Sequence, residues 1–117
     1  MPELTDAVRG IAGREGVLAV MVASPDGLPI ESAGAGVRDA EAMAALAVAL
    51  LKPATRLAEA GAAGAFRRAV LEFGSGFAVL AEVRDGNWLL VVTNADADVG
   101  ALLYDLRREN AALAALL

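Results

Sequence analysis

The hydrophobic residues of this chain are densest between Glu41 and Lys52, where every position in residues 42–51 is apolar. The spacing predicts a helix over residues 40–60, about 30 Å long at about 1.5 Å per residue. The larger apolar side chains of this central helix recur along one side at intervals of three, four and seven. These side chains are Met43, Leu46, Leu50 and Leu57. We expect this side of the helix to face the protein's own core.

A second flank of the central helix is also apolar or nearly so, and consists of Ala44, Val48, Leu51 and Thr55. Charged residues form a thin stripe of Glu41, Lys52, Arg56 and Glu59, which is interrupted by Ala45 and Val48. A domain has little reason to leave such a flank in water, so we expect a second copy or another protein to cover it. The alternative is that the helix is rich in alanine because alanine is the best helix former.

Pro53 conflicts with an uninterrupted helix. Proline removes one backbone hydrogen bond and disfavours the helical conformation of the preceding residue, Lys52. We therefore expect a kink or a break near residues 49–52.

Shorter patterns predict the other elements and their arrangement. In chain order these are an amphipathic helix at residues 4–12, strands at 17–24 and 28–32, the central helix capped by Asp39, strands at 66–73, 77–83 and 88–93, and a last helix from Val99. Asp85-Gly86 is the strongest hairpin signal, and Pro29 places its strand at a sheet edge. Short turns and strands that are apolar on both sides indicate an α+β domain with one antiparallel five-stranded sheet between helices.

Composition excludes several classes of function. A length of 117 residues is typical of one domain, so we treat residues 1–117 as a single domain. The absence of cysteine and histidine excludes thiolate chemistry and the commonest metal ligand and neutral-pH base. A net charge of −5 is the wrong sign for binding nucleic acid or an anionic membrane.

Hydrophobicity nevertheless suggests contact with protein. The apolar content is 57% and the mean hydropathy is +0.54, yet the longest apolar run is too short to span a bilayer. Glu3 and Asp6 stand where a signal peptide would have basic residues, so we expect a cytoplasmic protein.

Candidate catalytic and ligand-binding residues are few. Asp96 and Asp98 have carboxylates suited to a divalent cation, but two carboxylates before a helix more often cap it, and we predict no metal site. The glycines form no phosphate-binding loop, so we predict no nucleotide or other cofactor. Ser24 and Ser32 have no histidine to activate them, and we predict that the chain is not an enzyme.

Arg67 and Arg68 are the remaining candidates for a chemical role. An arginine finger that acts on a bound phosphate is one interpretation. Solvated ion pairs with nearby Glu72 are the commoner one.

In this order the elements resemble the roadblock family, the dynein light chain and bacterial MglB type of module that works with Ras-like small GTPases. The resemblance covers nearly the whole chain. It is carried by residues 16–20 leading to 26–30, by the alanine-rich helix from Asp39, by residues 85–91, and by Val99-Gly100. It implies a profilin-like sandwich with the long helix on one face of the sheet and both terminal helices on the other. It also implies dimers in which sheets join edge to edge and the long helices lie side by side.

Two sets of site residues follow from these patterns and from the resemblance. For a homodimer interface we predict Ala44, Val48, Leu51, Thr55, Arg68 and Val70. For a surface that binds a small GTPase we predict Glu41, Ala45, Val48, Lys52, Arg56 and Glu59. The predicted function is a dimeric regulator or scaffold for a Ras-like small GTPase. A purely structural dimerisation module is the alternative. A small-ligand sensor ranks last, because the strands offer no convergent polar groups beyond Thr93.

Overall fold

The chain folds in the predicted order, with the central helix divided into two. The structure is a computed structural model that describes residues 3–117. Its elements are α1 (Leu4–Ala12), β1 (Val17–Ala23), β2 (Pro29–Ala33), α2 (Ala40–Ala49), α3 (Leu51–Ala60), β3 (Arg68–Phe73), β4 (Gly76–Glu82), β5 (Trp88–Asn94) and α4 (Val99–Ala115). The predicted α+β fold with a five-stranded antiparallel sheet is confirmed.

The strands are ordered β2-β1-β5-β4-β3, so β2 and β3 form the two edges. All neighbouring strands are antiparallel. The prediction that Pro29 lies on an edge strand is confirmed, and the β1–β2 register shifts beside the residue opposite this proline, Ala23. Proline and an irregular register both discourage further strand pairing at an edge.

The β4–β5 hairpin is built by its Asp-Gly pair. Asp85 and Gly86 have φ angles of 52° and 79°, in the left-handed region that a tight hairpin turn requires. The Asn87 N–H donates to the Arg84 carbonyl oxygen at 2.8 Å and closes the turn. The residues of the turn itself therefore determine the position of this hairpin.

Both faces of the sheet are covered by helices. Terminal helices α1 and α4 pack on one face, where their buried residues meet valines and leucine of the strands. This core consists of Val8, Ile11, Val20, Val22, Val79, Leu89, Val91, Leu102, Leu106 and Leu113. Helix α2 packs on the other face, over Met21 and Ala23 of β1 and over Leu80 and Trp88. The layering implied by the resemblance is thereby confirmed.

Small residues of α2 face the sheet. Ala44 is 0% exposed and Ala47 is 4% exposed, because the bulky side chains on this side come from the sheet, such as Met21 and Trp88. Leu46, Leu50 and Leu57 are exposed instead. The prediction that these leucines face the core is therefore wrong.

The predicted break in the central helix is present, at Leu50. Leu50 keeps right-handed helical angles (φ −73°, ψ −21°), and its carbonyl oxygen accepts a hydrogen bond from the Ala54 N–H at 3.2 Å. Pro53 lies in the first turn of α3, where a missing N–H costs little. The axes of α2 and α3 therefore continue in nearly the same direction across the break. Within residues 3–117, no helix is long and apolar enough to cross a membrane.

Candidate protein interaction surfaces

One side of α2 and α3 presents large apolar side chains to solvent. Leu46 is 67% exposed, Leu50 is 42% exposed and Leu57 is 75% exposed. Pro53 is also exposed and falls between them at helical spacing. We call these four residues the leucine row. Because exposed leucines of this size on one helical side are costly in water, the leucine row is a candidate contact surface.

A shallow groove of about 490 Å³ lies elsewhere on the same two helices. Its lining combines apolar and charged side chains: Pro25, Val48, Leu51, Lys52, Thr55, Arg56 and Glu59. We call it the charged groove. The structure therefore brings together three residues predicted for the dimer interface (Val48, Leu51 and Thr55) and three further ones predicted for the GTPase surface (Lys52, Arg56 and Glu59).

The leucine row and the charged groove lie on different sides of the helix pair. Successive residues of a helix are turned by roughly 100°, which puts Leu46, Leu50 and Leu57 within roughly 40° of one another. On the same count Lys52, Thr55 and Glu59 lie roughly 140–160° away from the middle of that row. The side of the helix pair that faces the sheet lies between the leucine row and the charged groove. A protein bound to one surface would leave the other accessible.

Two predicted residues of the helix fall outside the charged groove. Glu41 is exposed in the first turn of α2, which Asp39 caps by accepting a hydrogen bond from the Ala42 N–H at 3.1 Å. Ala45 is exposed beside Gly27, where a Cβ on the glycine would lie 3.4 Å from the Ala45 Cα. A third residue, Ala44, is fully buried against its own sheet. Its assignment to a dimer interface is therefore wrong, because no side-chain surface is left for a partner.

The remaining two predicted residues, Arg68 and Val70, lie on the edge strand β3. Val70 is 44% exposed on the side of the sheet that α4 covers, opposite the buried Val79 of β4. This edge contains no proline, and its register with β4 is regular. An uncovered, regular edge strand is a template for pairing with another strand.

Arg68 also contributes to a basic cleft. Arg67, Arg68 and Arg107 line it, with Glu82, Val83 and Asn110. The Arg68 Nε is buried and has no hydrogen-bond partner within residues 3–117. Burial and the nearby charge of Arg107 lower the pKa of the Arg68 guanidinium.

The expected ion pairs of Arg67 or Arg68 with Glu72 are absent. In the part of the chain that the structure describes, the ion pairs join Arg14 to Asp105 at 2.6 Å and Arg84 to Asp85 at 3.3 Å. The arginines of the basic cleft therefore form no ion pair within residues 3–117.

The residues weighed for chemistry have local structural roles. Asp98 caps α4 by accepting a hydrogen bond from the Ala101 N–H at 3.0 Å, as predicted. The Ser24 Oγ accepts a hydrogen bond from the Leu28 N–H at 3.2 Å, within the β1–β2 turn. Across residues 3–117, no three side chains of the types that bind metals come together.

The leucine row was missed because periodicity alone could not choose a side of this helix. Every position of residues 42–51 is apolar, so a leucine side and an alanine side both qualify as core. One feature of the sequence does indicate which side of the helix faces the sheet. The strands predicted to face the helix already carry Met21, Leu80 and Trp88, and bulky side chains on a sheet leave space for small ones opposite.

Known structures share this fold. A Roadblock/LC7 domain from Streptomyces avermitilis superposes with a TM-score of 0.85 at 24% identity, covering 96% of this chain and 95% of that one. MglB from Myxococcus xanthus gives 0.82 at 18% identity, with 97% and 90% covered. The gliding protein MglB from Thermus thermophilus gives 0.80 at 15% identity, with 99% and 92% covered. At these identities the likeness shows the fold.

The family itself follows from the sequence. None of the curated proteins compared with this chain matches it. The family model described as the Roadblock/LC7 domain matches residues 4–94, which include every strand and the first three helices. The chain therefore belongs to the Roadblock/LC7 family.

Proposed function

We propose that this protein is a non-enzymatic homodimeric regulator or scaffold that binds a Ras-like small GTPase. The observation that carries the proposal is the presence of two separate exposed surfaces on one helix pair. The leucine row is apolar and suits a permanent contact, whereas the charged groove is mixed and suits a reversible one. Membership of the Roadblock/LC7 family and the likeness to MglB structures support this function.

A second copy of this chain is the partner proposed for the leucine row. Full burial of a leucine side chain is worth about 1.5–3 kcal/mol, and a two-fold contact uses each leucine twice. The helix pair runs from β1 toward β3, since Ala44 of α2 contacts β1 residues while Leu51 of α3 packs in the cluster that contains Ala69 of β3. The later part of the leucine row is therefore on the same side of the molecule as the free β3 edge. Both can contribute to one interface.

A small GTPase is the partner proposed for the charged groove. The groove is shallow and joins Lys52, Arg56 and Glu59 to the apolar Val48 and Leu51. A protein surface fits such a lining better than a small molecule does, since small ligands favour deep, mostly apolar pockets. The exposed charges would mainly influence the rate of encounter and the choice of partner.

The dimer is tested with a pair of matched substitutions. Leu46→Glu places a charge in the leucine row, while Leu28→Glu does so at a leucine that is 61% exposed in the β1–β2 turn. We expect light scattering at micromolar concentration to give twice the 11.9 kDa chain mass for the wild type and for Leu28→Glu. Leu46→Glu should be monomeric, because the interface would bury an unpaired charge. A monomeric wild type, or a dimeric Leu46→Glu variant, would contradict this interface.

Binding of the GTPase is tested by charge reversal. Calorimetry would titrate the dimer with a Ras-like GTPase from the same cells, loaded with GDP or with a non-hydrolysable GTP analogue. We expect Lys52→Glu/Arg56→Glu to weaken binding at least tenfold. The control is Arg9→Glu/Arg108→Glu, which changes the net charge equally on exposed residues of α1 and α4, across the sheet.

The outcomes separate the two candidate functions. Equal loss of binding in both double variants would mean that net charge, not the charged groove, governs the contact. If the wild-type dimer binds no such GTPase in either nucleotide state, the purely structural dimerisation module is the better account.

A further inference from the structure

The basic cleft lies between α4, the start of β3 and the end of β4. Arg68 is opposite Ala81 in the β3–β4 register, and Ala81 shares a sheet face with Val79, which is buried in the core under α4. The Arg68 side chain is therefore on the α4 side of the sheet. Arg107 and Asn110 of α4 line the same cleft and are three residues apart, about one helical turn. Guanidinium groups from two distant parts of the chain thus meet in one place.

Hydrogen bonds between α4 and the end of β4 bound this cleft on one side. The Asn110 Nδ2 donates to the Glu82 carbonyl oxygen at 2.9 Å, and the Arg84 Nη1 donates to the Ala114 carbonyl oxygen at 3.3 Å. Both bonds involve residues of α4 that come after Arg107. They fasten the helix to the strand there, so the cleft of about 310 Å³ does not extend past Asn110 between α4 and β4.

Glu82 is the acidic residue of the cleft, but its carboxylate belongs to the other face of the sheet. Glu82 is two residues from Leu80, which packs under α2, so the alternation of side chains turns its carboxylate toward the α2 side. Its backbone carbonyl is the group that meets Asn110. Neither Arg68 nor Arg107 forms an ion pair within residues 3–117. The charge inside the cleft is therefore positive.

The Arg68 guanidinium is in an unfavourable environment. Its Nε is buried and has no hydrogen-bond partner within residues 3–117. A buried donor without a partner destabilises a fold, and the effect is larger for a charged group. Burial and the nearby positive charge of Arg107 both lower the pKa of this guanidinium. An anion between the two arginines would accept from the Arg68 Nε and offset their repulsion.

A phosphoryl group matches this arrangement better than a carboxylate does. A carboxylate has two oxygens and one negative charge, which a single guanidinium group can satisfy. A phosphate monoester has three free oxygens and a charge of about −1.5 to −2 at neutral pH, which two guanidinium groups can share. Arginine is also well suited to bidentate contacts with phosphate.

We propose that the basic cleft binds the phosphoryl group of a small phosphorylated molecule, held by Arg68 of β3 and Arg107 of α4. The inference goes beyond the proposed function and does not depend on it, because the leucine row and the charged groove lie on the other face of the sheet. The glycines of the chain form no phosphate-binding loop, so the arginine side chains supply the contacts. A bound phosphoryl group would tie the last helix to the edge of the sheet.

Two observations favour a small molecule over a phosphorylated protein, a nucleic acid or a membrane. A phosphorylated peptide needs space for its chain on both sides of the phosphate, and the bond between Asn110 and Glu82 blocks one side. The net charge of −5 opposes approach to the polyanionic surface of a nucleic acid or an anionic membrane. A phosphoryl group with a small organic part fits the cleft without these costs.

Nuclear magnetic resonance can observe the site through the Arg68 Nε–H. Protein labelled with nitrogen-15 would be titrated at neutral pH with inorganic phosphate and separately with glycerol 3-phosphate, with sodium chloride holding the ionic strength constant. The Arg68 signal is assigned by its loss in Arg68→Gln. We expect it to shift and to saturate with a Kd on the order of 1 mM or below for both ligands. The absence of a saturable shift with both ligands would overturn the proposal.

Two neighbouring residues of α4 provide matched variants. Arg107→Gln removes one guanidinium of the cleft at an exposed position, where the fold should tolerate it, and we expect it to weaken phosphate binding at least about tenfold. The control is Arg108→Gln, because the Arg108 guanidinium lies outside the cleft, 5.8 Å from the centroid of the Tyr104 ring. It changes the net charge equally and should keep the Kd within about twofold of the wild type. Equal loss in both variants would overturn the cleft as the binding site.

Melting temperatures give a second readout. Phosphate stabilises folded proteins in general because it is excluded from their surfaces, so the variants must be compared at the same phosphate concentration. A ligand bound to the folded state adds stability that grows with its concentration. We expect phosphate to raise the Tm of the wild type and of Arg108→Gln by more than that of Arg107→Gln. Equal increases in all three proteins would contradict a site in the cleft.

Three further ligands test the chemistry and the source of the phosphoryl group. Acetate should bind at least about tenfold more weakly than inorganic phosphate, and equal binding would mean that the cleft does not select phosphoryl groups. A phosphoserine peptide and vesicles that contain phosphatidic acid represent macromolecular sources. Both should need at least the concentration of glycerol 3-phosphate to shift the Arg68 Nε–H signal. A shift at about tenfold lower concentration of either one would overturn the assignment to a small molecule.

Discussion

Replacing the fully buried Ala44 by leucine is expected to destabilise the protein, although the change adds apolar surface. Ala44 is 0% exposed and packs with Met21 and Ala23 of β1, so no space remains for three more carbon atoms. Overpacking a core position typically costs about 1–3 kcal/mol of unfolding free energy. The matched control is Ala49→Leu, at an exposed alanine of the same helix, which should stay within about 0.5 kcal/mol of the wild type.

The reverse exchange, Leu46→Ala, is expected to cost little in the monomer. Leu46 is 67% exposed, so about a third of its side chain is buried, which corresponds to about 0.5–1 kcal/mol. The better helix propensity of alanine offsets a few tenths of that cost. The measured loss should therefore be near 0.5 kcal/mol, which is smaller than the loss at Ala44.

Equilibrium urea unfolding at low protein concentration would measure these differences through tryptophan fluorescence. Trp88 is the single tryptophan and is 6% exposed beneath α2, in contact with the cluster of Ala47 and Leu80. A loss above about 2 kcal/mol for Leu46→Ala, together with a neutral Ala44→Leu, would refute the orientation of α2 described above. A loss for Leu46→Ala that grows with protein concentration would indicate that the leucine row is covered in a dimer.

Three further predictions concern single interactions in the fold. Gly76→Ala should cost at least about 2 kcal/mol of unfolding free energy in the same assay, because the added Cβ would collide with the Thr93 carbonyl oxygen. The control Gly74→Ala should cost far less, because a Cβ at that position would have no neighbouring atom within 4 Å. Asp39→Ala should cost about 1 kcal/mol through loss of the α2 cap, and an unchanged melting temperature would contradict that role. The Thr5 hydroxyl, at 2.7 Å, and the Ser32 N–H lower the pKa of Glu31 below its usual 4.5. The stability that Glu31 contributes is thus present above about pH 4.5 and lost as the pH falls below it, so unfolding curves of Glu31→Gln and the wild type should converge in acid.

Short-range chemistry made most of the fold predictable. Pro29 marks an edge strand, Asp85-Gly86 a hairpin, and Asp39 and Asp98 the starts of two helices, and each of these residues acts through its own backbone or its nearest neighbours. Such effects need no knowledge of the rest of the molecule. The element order and the fold class follow from them.

The orientation of α2 depends on packing between distant segments, and the sequence of the helix does not contain it. The sheet contributes Met21, Leu80 and Trp88 to the layer beneath the helix, so the helix contributes alanines there. For this reason Ala44 is buried against the sheet and is not available to an interface, and the leucines predicted to face the core are exposed. A helix that is apolar all round requires the volumes of both layers to be weighed before a side is chosen.

The interpretation that Arg67 or Arg68 forms an ion pair with Glu72 is not met within residues 3–117, for a geometric reason. Residues four apart meet on a helix but are about 13 Å apart along a strand. Charges at this spacing in an edge strand are suited to a partner strand that runs in the opposite direction.

The two edges of the sheet differ in a way that bears on the size of the proposed assembly. If two copies pair through β3, the joined sheet has a β2 strand at each end. Each of these ends carries Pro29 beside an irregular register, and both features discourage the addition of another strand. Pairing through β3 is also isologous, so it uses up the regular edge of both copies at once. The charge pattern of Arg68 and Glu72 would favour two-fold antiparallel alignment of the two β3 strands. The β2 edges with Pro29 would prevent the addition of further strands to the joined sheet. Strand pairing should therefore end at a dimer and not continue into a filament.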